Sequence, residues 1–337
     1  MTFAFPPEIL TCEMHTGGEP VRIVTGGYPH IPGATILDKR RYARERLDHL
    51  RRFLMHEPRG HADMYGVIPV EPDHPGADVA VLFCHNEGYS TMCGHATIAV
   101  ARWAVDEGLV APREPRATVR IQCPCGLVTA HAQVAGGRAG TVHFESVGAF
   151  APLLGAKLEV EGAGTVDVDV GYGGAFYAFA PASRFGLDVR TSPARTLADA
   201  AWAVTCAAKA QLELDHPAHP DLAYLYGTVL TDGALGDDRP SANVCVFANR
   251  QVDRSPTGSG VTARMAIQTA RGQAGVGDER RFSSVTGAVF TGCVVEETRV
   301  GEHEAVTVLV GGRAHYTGAA RFRAEEGDPL AGGFTVR

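Results

Sequence analysis

The sequence predicts an α/β (α+β) chain of two similar domains, each a set of strands around one buried helix. Three observations predict it. The chain has 337 residues, 45% of them apolar, and single cores seldom grow beyond about 250–300 residues before a chain divides. Residues 94–107 and 260–271 are apolar on nearly every side, which marks enclosed helices. The order strand, buried helix, further strands occurs twice, with no short-period repeat.

The elements follow in order. His15-Thr16-Gly17-Gly18-Glu19-Pro20 reads as a loop whose glycines permit positive φ or a close backbone approach. Over 38–56, Ala43, Leu47, Leu50 and Leu54 recur at helical spacing against charged residues, predicting one amphipathic helix that Pro58 ends. Residues 77–84 form a buried strand leading to Cys93, and Gly108 caps the helix over 94–107. Residues 118–122, 127–134 and 141–145 are strands separated by turns such as Gly136-Gly137. In the second half, strands over 166–170, 175–180 and 243–247 flank a helix over 197–212, with Thr196 and Asp199 as its capping pair. The helix over 260–271 carries one polar stripe, Arg264, Gln268 and Arg271, and ends at Gly272. Strands over 288–296, 305–310 and 314–323 complete the chain. The crossover lies near 155–159, giving a first domain over 1–157 that carries Cys93 and a second over 158–319 that carries Thr257.

A net charge of −7 and a pI near 6.0 disfavour nucleic acid or an anionic membrane as partner and favour a small molecule. Residues 1–10 carry no Lys or Arg, and no apolar run approaches the roughly 20 residues that span a bilayer, so a cytoplasmic location is expected. Eight cysteines without C-x-x-C spacing suit neither a disulfide framework nor structural zinc. Cys12, Cys84, Cys206, Cys245 and Cys293 read as core, and Cys123-Pro124-Cys125 is assigned no role. His61, Asp63 and His85 suggest a ligand set, but scattered loop histidines are usually structural. The glycines of 272–277 lack the strand and helix of a dinucleotide site.

The chemistry lies in a mismatched pair. Met92-Cys93-Gly94-His95 and Asp253-Arg254-Ser255-Pro256-Thr257-Gly258-Ser259-Gly260 each set one small reactive-type side chain before a glycine that opens a helix. One is a thiol and the other a hydroxyl. The amides of Gly94 and His95 are donors at a positive helix end, which draws the Cys93 thiol from about 8.5 toward neutrality. Cys93 is then a base or a nucleophile. Gly258 and Ser259 offer a second amide cradle, and two cradles converging on one point would hold a carboxylate.

These motifs resemble the two signatures of the proline racemase family. Further resemblance runs along the chain in His15–Pro20, Glu57-Pro58-Arg59-Gly60-His61-Ala62-Asp63-Met64-Tyr65-Gly66, Gly173-Gly174-Ala175-Phe176-Tyr177-Ala178, Phe247 and Asp328-Pro329-Leu330. The resemblance implies the diaminopimelate epimerase-like fold: two barrel-like domains, each wrapping a central helix, with the active site in the cleft between them. It also implies that residues about 320–337 return to the first domain. Racemases of the family use two cysteines on opposite faces of the substrate. Thr257 stands where the second would be, and a hydroxyl is far too weak an acid to exchange an α-proton. Members with threonine there resemble enzymes that dehydrate trans-3-hydroxy-L-proline, a reaction that needs one base. The resemblance assigns Asp253 to the substrate's ring nitrogen and Phe247 to its ring, with Gly94, His95, Gly258 and Ser259 binding substrate and no metal or cofactor. A small amino-acid substrate is the expected partner, and a homodimer is possible. The alternatives are a 4-hydroxyproline 2-epimerase or proline racemase, a thiol hydrolase using Cys93 with His95, and a silent amino-acid-binding protein.

Overall fold

The computed structural model describes residues 5–336; residues 1–4 of the N-terminal stretch, and residue 337, lie outside them. The chain groups into two compact units. One comprises the chain up to Thr91, His95–Val142 and the segment from Arg313 onward; the other comprises Met92–Gly94 and His143–Gly312.

In the first unit, β1 (Ile9–Thr16) and β2 (Glu19–Gly26) form a hairpin in which Thr16 faces Glu19. Gly17 (φ 63°) and Gly18 (φ 91°) make the two-residue turn, a backbone that glycine adopts without strain. The expected loop is therefore a hairpin. Then come α1 (Ile36–Arg46) and α2 (Asp48–Met55) in place of the single helix expected over 38–56. Thr35 and Asp38 close a capping box at the start of α1. The chain breaks at Leu47 (φ −120°, ψ 10°), and Arg51 of α2 binds Asp48 at 2.6 Å and donates to the carbonyls of His85 and Asn86. The break lets Leu50, Phe53 and Leu54 share a core with Ala43, Ile68 and Leu82, which a straight helix could not satisfy together with the Arg51 contacts.

Next come β3 (Gly66–Val70), parallel to β2, then β4 (Val79–Cys84), β5 (Tyr89–Ser90) and α3 (Gly94–Asp106). Gly108 (φ 75°) follows α3. β6 (Arg116–Cys123) lies parallel to β4 and pairs with β7 (Gly126–Ala135), and β8 (Arg138–Glu145) carries the chain out of the unit.

The second unit repeats this order. It contains β9 (Ala149–Val160), β10 (Gly164–Tyr172), β11 (Phe176–Pro181), α4 (Ala194–Gln211), β12 (Leu225–Thr231), β13 (Ser241–Phe247), β14 (Gln251–Val252), α5 (Gly258–Ala270), β15 (Glu279–Ser283), β16 (Val289–Val300) and β17 (His303–Gly312). β18 (Ala314–Phe322) then returns to the first unit and pairs with β1. Pairing runs β9–β10–β11–β12–β13–β15–β16–β17 and back to β9 through Ala305↔Phe150, so eight strands close a ring. β11 with β12 and β13 with β15 are parallel, as are β2 with β3 and β4 with β6 in the first unit.

An eight-stranded ring has room for little beyond its own inward side chains. It admits α5 because both surfaces are pared down. Strand residues Gly171 and Gly292 and Gly173 of the β10–β11 turn face it, where an added Cβ would lie 2.9, 2.7 and 2.2 Å from α5 atoms, and the helix is rich in Gly, Ala and Ser. Gly258 through Gln268 are all buried, and full burial of Val261, Met265 and Ile267 contributes about 1.5–3 kcal/mol each. α4 packs on the opposite face of the sheet, where Leu197, Ala201 and Val204 meet Val166, Val168, Val244 and Val246.

Three further expectations change. β9 is one continuous strand that pairs with both β10 and β17, so the division falls after Val142 and not at 157/158, and Met92–Gly94, with Cys93, groups with the second unit. α4 begins at Ala194 behind Pro193, whose ring presets the helical entry, and has no side-chain cap; Asp199 instead pairs with Arg250 at 3.0 Å. Cys206, expected in the core, is exposed on α4. Among the described residues no helix is long and apolar enough to cross a membrane.

Candidate active site

The loop from β14 into α5 is tied by hydrogen bonds among its own polar groups. Asp253 is 3% exposed, and its amide donates to the Cys245 carbonyl at 2.9 Å. Its Oδ1 accepts from the Ser255 amide and its Oδ2 from Thr257 Oγ1, both at 2.7 Å. Ser255 Oγ accepts from the Thr257 amide at 3.1 Å, and Asn243 Nδ2 donates to the Pro256 carbonyl at 3.1 Å. This network holds Thr257 at φ 65°, ψ 88°, left-handed ground where a β-branched residue is a true outlier and costs of order 1–3 kcal/mol. The strain fixes the direction of the threonine side chain. Since its one hydroxyl proton goes to Asp253, Oγ1 offers only lone pairs to any other group.

Cys93 is 5% exposed and immediately precedes α3. The next residue, Gly94, touches Gly258, the first residue of α5. A Cβ on Gly94 would lie 2.4 Å from Gly258 Cα, 2.8 Å from its carbonyl carbon and 2.9 Å from the Ser259 nitrogen. A Cβ on Gly258 would lie 2.7 Å from Gly94 Cα and 3.3 Å from Phe144 Cζ. Two helix starts thus meet backbone to backbone, an approach open only to glycine. Cys93 and Thr257 each lie one residue upstream of this contact. The first amides of α5 lie beyond its internal hydrogen bonds, and the positive potential at that end suits an anion.

Ser259 is held by Tyr177, with 2.7 Å between the two hydroxyl oxygens. Burial, with smaller contributions from Cys245, Cys93 and Asp253, holds the Tyr177 hydroxyl well above its usual range near 10, so it stays protonated. Its ring meets Tyr226 edge-on at 5.6 Å, and Tyr226 stacks on Phe247 at 5.1 Å and 14°. Gly173, where a Cβ would lie 2.2 Å from the Ser259 carbonyl oxygen, presses the β10–β11 turn against α5.

Of the residues singled out in the sequence, Cys93, Gly94, Phe247, Asp253, Thr257, Gly258 and Ser259 share the second unit. His95 groups with the first, where its ring meets Tyr65 edge-on at 4.8 Å and its carbonyl accepts from Thr16 Oγ1 at 2.9 Å. Sequence reasoning missed Phe144 and Tyr226. Their signals were faint: an inward position in the period-2 pattern of β8, and an aromatic beside Gly227 in a buried strand. Among the described residues no three His, Cys, Asp or Glu side chains converge as a metal set.

The family model for proline racemase matches residues 11–335. Trans-L-3-hydroxyproline dehydratase of Mus musculus is 53% identical over 338 residues, covering 98% of this chain and 95% of the relative. A 3-hydroxyproline 2-epimerase of Burkholderia multivorans is 44% identical, covering 97% and 98%. Among solved structures, a hydroxyproline epimerase from Agrobacterium vitis with bound trans-4-OH-L-proline superposes with a TM-score of 0.93 at 27% identity, over 99% of this chain and 96% of that one. With a family model spanning nearly the whole sequence and relatives at this identity over nearly their full length, the chain belongs to the proline racemase family.

Proposed function

We propose that this protein dehydrates trans-3-hydroxy-L-proline to 1-pyrroline-2-carboxylate, with Cys93 as the single base. The observation that carries the reading is the pairing of a thiol at Cys93 with a hydroxyl at Thr257 whose proton is committed to Asp253. One face of the substrate then has a base and the other does not. In trans-3-hydroxy-L-proline the α-hydrogen and the 3-hydroxyl both lie opposite the carboxylate, hence on one ring face. The Cys93 thiolate takes the α-proton, the electron pair forms the C2=C3 bond, and the C3–O bond breaks as the new thiol returns its proton to the departing hydroxide. Water leaves, the thiolate is restored, and the enamine tautomerises to the imine. No outside oxidant, reductant or cofactor enters the balance.

The remaining roles belong to the same proposal. The amides at the starts of α3 and α5, His95 among them, hold the carboxylate and stabilise charge that develops toward it. Asp253 meets the ring nitrogen while binding Thr257, and Phe247 packs on the ring. The diaminopimelate epimerase-like two-domain architecture, a cytoplasmic setting and a homodimer are part of this reading. Dehydratase names among relatives at 53% identity support the reaction. The epimerase name on a 44% relative favours one second reading, 2-epimerisation, in which the α-proton returns to the opposite face. Cys93→Ser tests the base directly: loss of water release by at least about 10²-fold is expected, and full activity in this variant would end the proposal.

A further inference from the structure

The polar stripe on α5 plays no part in the proposed dehydration, and it sits beside a second cavity. A volume of about 240 Å³ is lined by Arg264, Ile267, Gln268 and Arg271 at the end of α5, and by Phe179, Pro181 and Leu235. Arg264 lies seven residues after Thr257, about 10 Å along the helix. It is 7% exposed, and burial draws its guanidinium down only to about 10, so it is cationic near neutrality. Its Nη2 donates to the Ala234 carbonyl at 2.6 Å and to Ser241 Oγ at 2.8 Å. Among the described residues no carboxylate lies within ion-pair distance of it: Asp232 acts on it across space and through the shared Ser241 hydroxyl, and is itself paired with Arg190 at 3.0 Å. Asp169, at the cavity edge, is taken by Arg271 at 2.6 Å.

Two buried polar atoms of the stripe have no protein partner. They are Arg264 Nη1 and Gln268 Oε1. The Gln268 amide orientation is fixed, because its Nε2 donates to the Leu235 carbonyl at 3.0 Å. The protein therefore leaves a cationic donor and a neutral acceptor unanswered one helical turn apart, each costing of the order of a lost hydrogen bond. Arg271, already paired, supplies a second positive neighbour.

We propose that this cavity is a binding site for a small carboxylate that also carries a hydrogen-bond donor, a hydroxy or amino acid. The carboxylate answers Arg264 Nη1, the hydroxyl or ammonium answers Gln268 Oε1, and the carbon skeleton lies against Phe179, Pro181 and Ile267. A cavity of this size is below the roughly 300 Å³ at which drug-sized ligand sites begin, which limits the ligand to a few heavy atoms. Both atoms have almost no exposed surface of their own, so binding requires a movement of the two side chains that opens them to the cavity.

The test is isothermal titration calorimetry of the full chain with L-lactate, acetate and inorganic phosphate. L-Lactate is expected to bind with a Kd of about 1 mM or tighter, and acetate about tenfold more weakly for want of the donor. Gln268→Leu, which removes an unsatisfied buried acceptor and leaves Arg264 in place, should weaken L-lactate about tenfold and leave acetate unchanged. Arg264→Lys should weaken both. Cys93→Ser should leave both as in the parent, which separates this site from the proposed active site and makes its fate independent of the dehydratase reading. The inference is overturned if none of the three ligands binds, which would mean that water alone fills the cavity. It is equally overturned if acetate or phosphate binds as tightly as L-lactate, if L-lactate binding is unchanged in Gln268→Leu, or if it is lost in Cys93→Ser.

Discussion

Gly94→Ala places one methyl group where two helix starts touch. The new Cβ would sit 2.4 Å from Gly258 Cα, about 1.1 Å inside an ordinary carbon–carbon contact of about 3.5 Å. All three nearest atoms are backbone, so no side chain can swing away. Helix propensity alone would favour alanine by up to about 1 kcal/mol. Overpacking costs about 1–3 kcal/mol, and its upper end applies where backbone meets backbone, leaving a net loss of about 1–2 kcal/mol. For a unit of this size that lowers the melting temperature by roughly 3–6 °C. The effect on turnover should be larger, because a displacement near 1 Å between Cys93 and Thr257 costs about 10²-fold. Thermal unfolding followed by circular dichroism and a turnover assay read the two effects. Gly275→Ala is the control, since a Cβ there meets nothing within 4 Å and no positive φ is involved. A Gly94→Ala protein as stable and as active as the parent would refute the contact as the element that aligns the two residues.

Other outcomes follow from the same geometry. Asp253→Asn cannot accept from both the Ser255 amide and Thr257 Oγ1, and losing one charge-assisted bond should cost about 1.5–3 kcal/mol in denaturant melts; an unchanged midpoint would contradict the network. Tyr177→Phe leaves Ser259 without its buried partner and should reduce kcat more than it changes KM, whereas a change confined to stability would argue that Ser259 is structural. His85, drawn down to about 3 chiefly by burial and then by Arg51 and Arg40, stays neutral in the fold while the unfolded chain takes up a proton near 6.5. Stability is therefore lost as pH falls from about 6.5 toward 3, by at most about 1.4 kcal/mol per pH unit from this group. His85→Gln should flatten that slope, and an unaltered slope would assign it elsewhere. Native alkylation should label exposed Cys206 well before Cys84, whose thiol burial pushes up to about 12; the reverse order, read by peptide mass, would contradict the packing of β4.

Periodicity located both enclosed helices because a helix that is apolar on every side must be covered on every side, and glycines at Gly108 and Gly272 marked their ends well. Periodicity also made one helix of α1 and α2, since the break at Leu47 satisfies Arg51 and the core together and leaves no local signal. Thr196 and Asp199 looked like a cap because sequence spacing cannot show that Pro193 starts the helix earlier. The candidate site was legible as residue types at fixed offsets from glycines. Its strain was not: the left-handed Thr257 depends on Asp253, Ser255 and Asn243 acting together, and the last comes from a strand ten residues upstream of the loop it ties. The Gly94–Gly258 contact brings together residues from opposite halves of the chain, and the sequence displays only that both are glycine.

The central claim is that one face of the substrate has a base and the other has none. It is tested by incubating the protein with trans-3-hydroxy-L-proline in heavy water and following the imine product by nuclear magnetic resonance together with the α-position of the remaining amino acid. The account predicts 1-pyrroline-2-carboxylate as the product and no deuterated cis-3-hydroxy-D-proline. Accumulation of that epimer without the imine would contradict it.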